Sequence, residues 1–129
     1  MLAAYRRVMG RASRGEATAQ SWERVCAYDD LEPDVGVAAL VRGRGIAVFR
    51  TASGRVYAVG NRDPYSGSQA MARGIVGVRD GSAFVAAPSG KQVFDLATGI
   101  ARDDPGTQLP AYATRVTDGV IEVAVPVRA

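Results

Sequence analysis

The segment YATRVTDGVIEVAV, residues 112–125, indicates the class of fold. It consists of two runs that alternate apolar and polar side chains, joined by Asp118-Gly119, a dipeptide that favours a two-residue type I′ turn between antiparallel strands. A hairpin closed by this turn pairs Val116 with Ile121, Thr114 with Val123 and Tyr112 with Val125 on one face, and Arg115 with Glu122 on the other. Because the last pair has opposite charges, the turn, the alternation and the electrostatics all predict the same β-hairpin.

Short strands separated by glycine turns continue along the chain from Trp22 onward. Turn signals recur about every ten residues and helical periodicity is almost absent, which predicts an all-β fold, a sandwich or small barrel of antiparallel strands. The expected strands are WERVCA (22–27), residues 37–42 and 45–50 joined at Gly43 and Arg44, RVYAV (55–59), SAFVAAP (82–88) and KQVFDL (91–96). Residues 96–113, which contain Pro105, Gly106 and Pro110, are expected to form a long surface loop.

The charge of the chain is unevenly distributed. The formal net charge is +3, and residues 1–20 carry all of it, with four arginines and one glutamate. We therefore expect a flexible Arg-rich N-terminal tail over residues 1–20 and one β domain over residues 21–129. Four of the 16 basic residues and one of the 13 acidic residues lie in the tail, which leaves 12 of each sign in the domain. A neutral domain lacks the broad basic face that binding to nucleic acid requires.

The sequence predicts a cytoplasmic protein that does not bind membranes. It contains neither the apolar run of a secretory signal nor one long enough to span a bilayer. The single cysteine, Cys26, excludes a disulfide within the chain, which fits a reducing compartment. Free cysteine is usually buried, so Cys26 is expected to be a small apolar residue on a strand.

The residue types present exclude most kinds of catalytic site. There is no histidine, which removes Ser-His-Asp and Cys-His catalysis and histidine ligation of metals. One cysteine cannot supply the thiolates that hold zinc or an ordinary iron–sulfur cluster. The acidic pairs Asp29-Asp30 and Asp103-Asp104 are expected to be solvated loop charges, because adjacent side chains point apart and no EF-hand spacing surrounds them. No catalytic, cofactor-binding or metal-binding residue is predicted.

Two segments about 25 residues apart each run from a strand into a loop that contains proline: VYAVGNRDPYS (56–66) and FVAAPSGKQVFDLATG (84–99). Together they resemble the two ligand loops of the Rieske family. In that family Cys-x-His follows the first strand, and Cys-Pro-x-His precedes an aromatic-containing strand, Asp-Leu and a Thr-Gly turn. The resemblance implies a Rieske-like β-sandwich or barrel with two loops at the former cluster site.

Every cluster ligand of the Rieske pattern is replaced in this chain. Matched position by position, the first-loop cysteine and histidine fall on Asp63 and Tyr65, and those of the second loop fall on Ala87 and Gly90. A Rieske centre needs two thiolates on one iron and two imidazoles on the other. The resemblance therefore implies a domain that binds no [2Fe–2S] cluster.

A narrower resemblance rests on five motifs between about Trp22 and Val125. In chain order they are W-x-x-V-C, N-x-D-P-Y-S, R-G-I-V-G, K-Q-x-F-D-L-x-T-G and D-D-P. This set is similar to the small subunit of the NAD(P)H-dependent nitrite reductase of nitrate assimilation. One departure is Gly90, where this family would have a bulkier residue.

The narrower resemblance implies an accessory subunit without catalytic residues or cofactors of its own. It would dock on a large subunit that carries flavin, an iron–sulfur cluster and sirohaem and reduces nitrite to ammonia with electrons from NAD(P)H. The alternative is a free-standing Rieske-like module that binds a small molecule or another protein.

Six side chains of the two loops form the expected partner interface: Arg62, Asp63, Tyr65, Ser66, Lys91 and Gln92. Lys91 is the only lysine of the chain, and a pair with Asp63 would fill the former cluster site. For Tyr65, packing beneath the loop is the alternative to contact with a partner, and the whole DPYS segment could be an ordinary turn between strands.

Overall fold

The computed structural model describes residues 5–6, 10–14, 20–88, 90 and 92–127, and this part of the chain is built from β-strands. The strands are β1 Tyr5–Arg6, β2 Gly10–Arg14, β3 Gln20–Ala27, β4 Val37–Val41, β5 Arg44–Arg50, β6 Val56–Gly60, β7 Ile75–Arg79, β8 Ser82–Ala86, β9 Val93–Asp95, β10 Ile100–Ala101, β11 Asp104–Gln108, β12 Ala111–Tyr112, β13 Thr114–Thr117 and β14 Val120–Pro126. Two 3₁₀ helices, Tyr28–Asp30 and Met71–Arg73, join them. The predicted all-β fold class is confirmed.

The strands form three sheets, almost entirely antiparallel. The first has the order β1-β4-β5-β6-β12, the second β11-β10-β9-β8-β7 and the third β13-β14-β3-β2. Two-residue turns close the hairpins β4–β5, β7–β8 and β13–β14, at Arg42-Gly43, Asp80-Gly81 and Asp118-Gly119. Both residues of each turn have positive φ, between 48° and 81°, as a type I′ turn requires.

The register predicted for the last hairpin is confirmed at three pairs, Thr114 with Val123, Arg115 with Glu122 and Val116 with Ile121. The fourth predicted pair, Tyr112 with Val125, is wrong. Tyr112 pairs instead with Ala58 of β6, so the chain leaves the first sheet at β12 and enters the third at β13.

Two further predictions need correction. The β4–β5 turn lies at Arg42-Gly43 rather than Gly43-Arg44, because glycine takes the second central position, as in the other two hairpins. Residues 96–113 are not one long surface loop, since they contain β10, β11 and β12. Leu109, which precedes Pro110, is 1% exposed and joins the core, so this segment contributes to packing.

Two apolar cores lie on the two sides of strand β5. Ala47 and Phe49 pack with Met71, Phe94 and their neighbours in one core. The alternate residues Ile46 and Val48 pack in the other. Successive strand side chains point to opposite faces, so a strand buried on both faces reads as a continuous apolar run, here IAVF.

Cys26 is 4% exposed and lies in the second core, which confirms the prediction of a small buried residue.

Parts of the predicted N-terminal tail pair with the domain. Strand β1 is parallel to β4, and β2 is antiparallel to β3. The division of the chain into a tail over residues 1–20 and a domain over 21–129, and the flexibility of that tail, stay predictions.

Replacing Phe49 by alanine is expected to lower the free energy of unfolding by about 3 to 5 kcal/mol, because it empties a large site in a closely packed core. Urea unfolding of the two proteins measures the difference. Leu40→Ala on the neighbouring strand is the control: Leu40 is 50% exposed, so the expected change is within about 0.5 kcal/mol. Equal losses in both variants would contradict the assignment of β5 as the shared central strand.

Candidate functional site

The two loops predicted to form the site are brought together at one end of the domain. We define the first loop as residues 61–69 and the second loop as residues 87–92. The ring of Tyr65 in the first loop lies 6.1 Å, centroid to centroid, from the ring of Phe94, on the strand that follows the second loop. The two motifs are therefore in contact, through the exposed ring of Tyr65 and the buried ring of Phe94.

Asn61 anchors the start of the first loop. Its side chain is fully buried, and its Oδ1 accepts a hydrogen bond from the backbone N–H of Ala72 at 2.8 Å. Its carbonyl oxygen accepts from Met71 N–H at 3.0 Å, and its own N–H donates to the carbonyl oxygen of Gly45 at 3.0 Å. These bonds fix the point where the chain leaves β6 and enters the loop.

Asp63 closes the first loop from inside. Its Oδ1 accepts from Tyr65 N–H at 2.9 Å, an Asx turn, which explains why aspartate suits this position. Its backbone N–H donates to Ser68 O at 2.8 Å, and its carbonyl accepts from Gly67 N–H at 2.7 Å. Asp63 is 1% exposed, so it shapes the loop rather than presenting its carboxylate to a partner.

Tyr65 lies across the surface of the site, with 44% of the residue exposed. Its hydroxyl donates a hydrogen bond to Asp104 Oδ2 at 2.8 Å, and Thr107 Oγ1 donates to the same oxygen at 2.7 Å. Its ring is tilted by 46° against the ring of Phe94. Tyr65 thus combines the packing role and the surface role that the sequence left open.

The contacts between Tyr65, Asp104 and Thr107 shift the pKa of Tyr65 and the pKa of Asp104. A hydrogen bond with Thr107 lowers the pKa of Tyr65, but the hydrogen bond to Asp104, partial burial and the charges of Asp104 and Asp63 together raise it above 10.0. The hydrogen bonds from Thr107 and then from Tyr65 hold the pKa of Asp104 below 3.8. At neutral pH the pair is therefore a neutral phenol donating to a carboxylate.

The second loop has small residues at the two positions where the Rieske pattern has cluster ligands. Ala87 is 4% exposed, and its N–H donates to the carbonyl oxygen of Gln92 at 2.8 Å. Among the described residues, the nearest atom to a Cβ placed on Gly90 would be Gln92 Cγ, at 3.8 Å, which is an ordinary van der Waals contact. Lys91 lies outside the described residues, and its expected pair with Asp63 stays a prediction.

A groove of about 320 Å³ runs along one side of the first loop. Its lining includes Arg44, Arg62, Gln69, Gln108, Pro110 and Tyr112, and no aspartate or glutamate of the described part of the chain belongs to it. Arg44 is a lining residue that was not predicted from the sequence. Strands β5 and β6 pair Ile46 with Gly60, which brings the start of β5, and with it Arg44, next to the first loop.

The residues present do not fit a Rieske cluster. Asp63, Tyr65, Ala87 and Gly90 provide neither a thiolate nor an imidazole, and the one carboxylate among them is engaged within its own loop. Over the described ranges, no group of three or more His, Cys, Asp or Glu side chains is placed to hold a metal ion. No helix in that part of the chain is long and apolar enough to cross a bilayer.

Comparison with known proteins supports the same family. The Rieske-like [2Fe-2S] domain family matches residues 21–124. The nitrite reductase (NADH) small subunit of Escherichia coli K12 is 36% identical over 103 residues, which cover 79% of this chain and 95% of that protein. A crystal structure assigned as an NADH-dependent nitrite reductase small subunit from Mycobacterium tuberculosis is 49% identical, with a TM-score of 0.80 over 82% of this chain and 96% of that one.

A longer relative contains a similar segment. The nitrite reductase [NAD(P)H] large subunit of Klebsiella oxytoca is 31% identical over 114 residues, which cover 87% of this chain and 12% of that protein. In that organism a domain similar to this chain is part of the large-subunit polypeptide.

Asn61→Ala is expected to cost about 1 to 3 kcal/mol of stability, because it leaves the buried N–H of Ala72 without an acceptor. Chemical unfolding measures the loss, and hydrogen exchange at Ala72 should rise with it. Arg62→Ala, one residue along and exposed, serves as the control and should leave both quantities nearly unchanged. An unaltered exchange rate at Ala72 in the Asn61 variant would show that the anchor does not act as described.

Asp104→Ala is expected to lower the pKa of Tyr65, because the substitution removes the acceptor and the negative charge that favour the neutral phenol. The measurement is the pH titration of the tyrosine ring carbons by NMR, with Tyr65→Phe to assign the signal. Asp103→Ala removes an equal charge one residue away and should shift the pKa of Tyr65 less. If the two variants shift it equally, the hydrogen bond between Tyr65 and Asp104 is not its cause.

Proposed function

We propose that this chain is the accessory subunit of an NAD(P)H-dependent assimilatory nitrite reductase. The chain belongs to the family of the nitrite reductase (NADH) small subunits, which is the basis of the proposal. It docks on a large subunit that carries flavin, an iron–sulfur cluster and sirohaem and reduces nitrite to ammonia. The observation that carries the proposal is a Rieske-like frame whose first loop is closed by its own hydrogen bonds although none of the four ligand positions carries a thiolate or an imidazole. Such a frame serves recognition rather than electron transfer.

The relative from Klebsiella oxytoca supports the assignment of the partner. A domain similar to this chain is there joined to a large subunit in one polypeptide. Covalent linkage keeps two domains at a high effective concentration, which benefits domains that act in contact. We infer that this chain makes the corresponding contact as a separate protein.

The first loop supplies the side chains best suited to that contact. Arg62, Tyr65 and Ser66 are exposed, and arginine and tyrosine are the residue types that most often dominate binding energy at interfaces. The bonds made by Asn61 and Asp63 hold the loop in one shape, so little conformational entropy is lost on docking. Gln92 is half-buried in the second loop and lies nearer the margin of this surface.

The chain itself is proposed to bind no cofactor and to catalyse no step. Without a thiolate or imidazole at the former ligand positions it cannot hold a Rieske cluster, and redox chemistry requires a cofactor. Electrons then pass from NAD(P)H to nitrite within the large subunit. A cytoplasmic location follows for the complex, since NAD(P)H is supplied there.

Co-expression with the large subunit tests the proposal. We expect a stable complex on size exclusion, nitrite-dependent NADH oxidation that falls when this chain is omitted, and no iron in this chain when it is purified alone. Tyr65→Ala should weaken the complex by about tenfold or more, as truncation of an interface anchor does. Val116→Ala on β13, exposed to a similar degree at 46%, is the control and should leave the affinity unchanged.

Two results would contradict the proposal. The absence of a complex, together with an unchanged rate of nitrite-dependent oxidation, would leave a free-standing binding module as the better description. Stoichiometric iron in the purified chain would overturn the cofactor-free assignment.

A further inference from the structure

We propose that the groove beside the first loop binds an acidic segment of the large subunit, an extended stretch that carries aspartate or glutamate side chains. This rests on the proposed function, because the segment belongs to the partner named there. It adds a second, electrostatic contact beside the contact made by Tyr65.

Two exposed arginines give the groove a positive charge. Arg44 and Arg62 are both exposed, and neither guanidinium group makes a hydrogen bond or ion pair with a residue that the structure describes. Three other arginines of the domain are paired with acids: Arg42 with Glu23, Arg102 with Asp95 and Arg115 with Glu122. No acid among the described residues lines the groove, so we assign the carboxylates that pair with Arg44 and Arg62 to the partner.

Guanidinium groups suit a carboxylate ligand. Each presents a planar fork of N–H donors that binds the two oxygens of a carboxylate side by side, which gives geometric selectivity as well as charge. Two such groups in one groove favour a ligand with two acidic side chains over a single small anion.

The backbone holds the two arginines in place. Arg44 begins β5, and Arg62 follows the buried anchor Asn61 just beyond the end of β6. The antiparallel pairing of Ile46 with Gly60 keeps these two chain positions at the same end of the sheet. Arg62 also forms an isolated backbone bridge with Gln69 across the loop. The backbone positions from which the two arginines project are thus set before a ligand arrives, so only the side chains are ordered on binding.

The size and lining of the groove fit a peptide segment. Its volume of about 320 Å³ corresponds to roughly ten water molecules, enough for one or two side chains and the backbone between them. Gly60 allows close packing of Pro110, since a Cβ there would lie 2.9 Å from Pro110 Cδ, and Gly45 and Leu109 extend this apolar part of the lining. Gln108 and Tyr112 also line the groove, and the amide nitrogen of Gln108 already donates to the carbonyl oxygen of Thr98 at 2.9 Å.

The test is the affinity of the double variant Arg44→Glu, Arg62→Glu for the intact large subunit, measured at low and at physiological salt. We expect a loss of at least about tenfold at low salt and a weaker dependence on salt than that of the wild-type chain. Arg44→Ala, Arg62→Ala should give a smaller loss in the same direction, which separates lost attraction from added repulsion.

Arg55→Glu is the matched control. Arg55 is exposed, has no side-chain bond to a described residue and lies at the opposite end of the β5–β6 hairpin, six strand residues or about 20 Å from the groove. It should bind the large subunit within about twofold of wild type. Urea unfolding of each variant verifies that the fold is retained.

Three results would overturn the proposal, and each has a separate meaning. Failure of the wild-type chain to bind overturns the proposed function and this inference with it. A wild-type complex whose affinity is unchanged by charge reversal in the groove overturns this inference alone. Saturable binding of sodium nitrite to the isolated chain, lost in the double variant and competitive with the large subunit, would make the groove a small-anion site instead.

Discussion

Burial of strand β5 on both faces is the constraint on which the rest of the domain depends. Phe49 and Ala47 belong to one core and Ile46 and Val48 to the other, so neither core can form without this strand. Its hydrogen-bonded neighbours β4 and β6 are thereby fixed on either side. The end of β6 is where the first loop begins, and the position of that loop follows from the packing of the sheet beneath it.

The loop in turn is held by polar contacts in an otherwise apolar setting. Asn61 satisfies backbone groups that would otherwise be buried without partners, and Asp63 bonds to the backbone of its own loop. Such bonds contribute modestly to net stability, but leaving them unmade is costly, so they select one loop conformation. The exposed residues of the loop, Arg62 and Tyr65, are accordingly different from Asn61 and Asp63, whose side chains hold it in place.

The sequence predicted local features well where one short-range rule applied. Asp118-Gly119 set the type I′ turn and the register around it, and the two loop motifs indicated which segments meet. It failed where tertiary packing decided the outcome. Tyr112 joins β6 rather than continuing its hairpin. In β3 a register irregularity next to Ile121 lets Val25 and Cys26 both be buried, which strict alternation would forbid.

The candidate site shows the same division. The two loop motifs followed from pattern, whereas the sequence left both packing and exposure open for Tyr65. The burial of Asp63 was not predicted, because an Asx turn and a surface carboxylate have the same sequence signature. Arg44 was not predicted because it lies outside both loop motifs. It comes next to the first loop only through the pairing of β5 with β6, and Arg62 in that loop is 18 positions away in the chain.

The self-closing first loop also bears on how such a protein matures. In a domain whose tip is cross-linked by a metal cluster, the tip is complete only after iron and sulfide have been delivered. Here the groups that close the tip, the side chains of Asn61, Asp63 and Tyr65, arrive with the polypeptide. On the proposed function, the docking surface of the first loop is therefore complete as soon as the chain folds, without delivery of iron or sulfide.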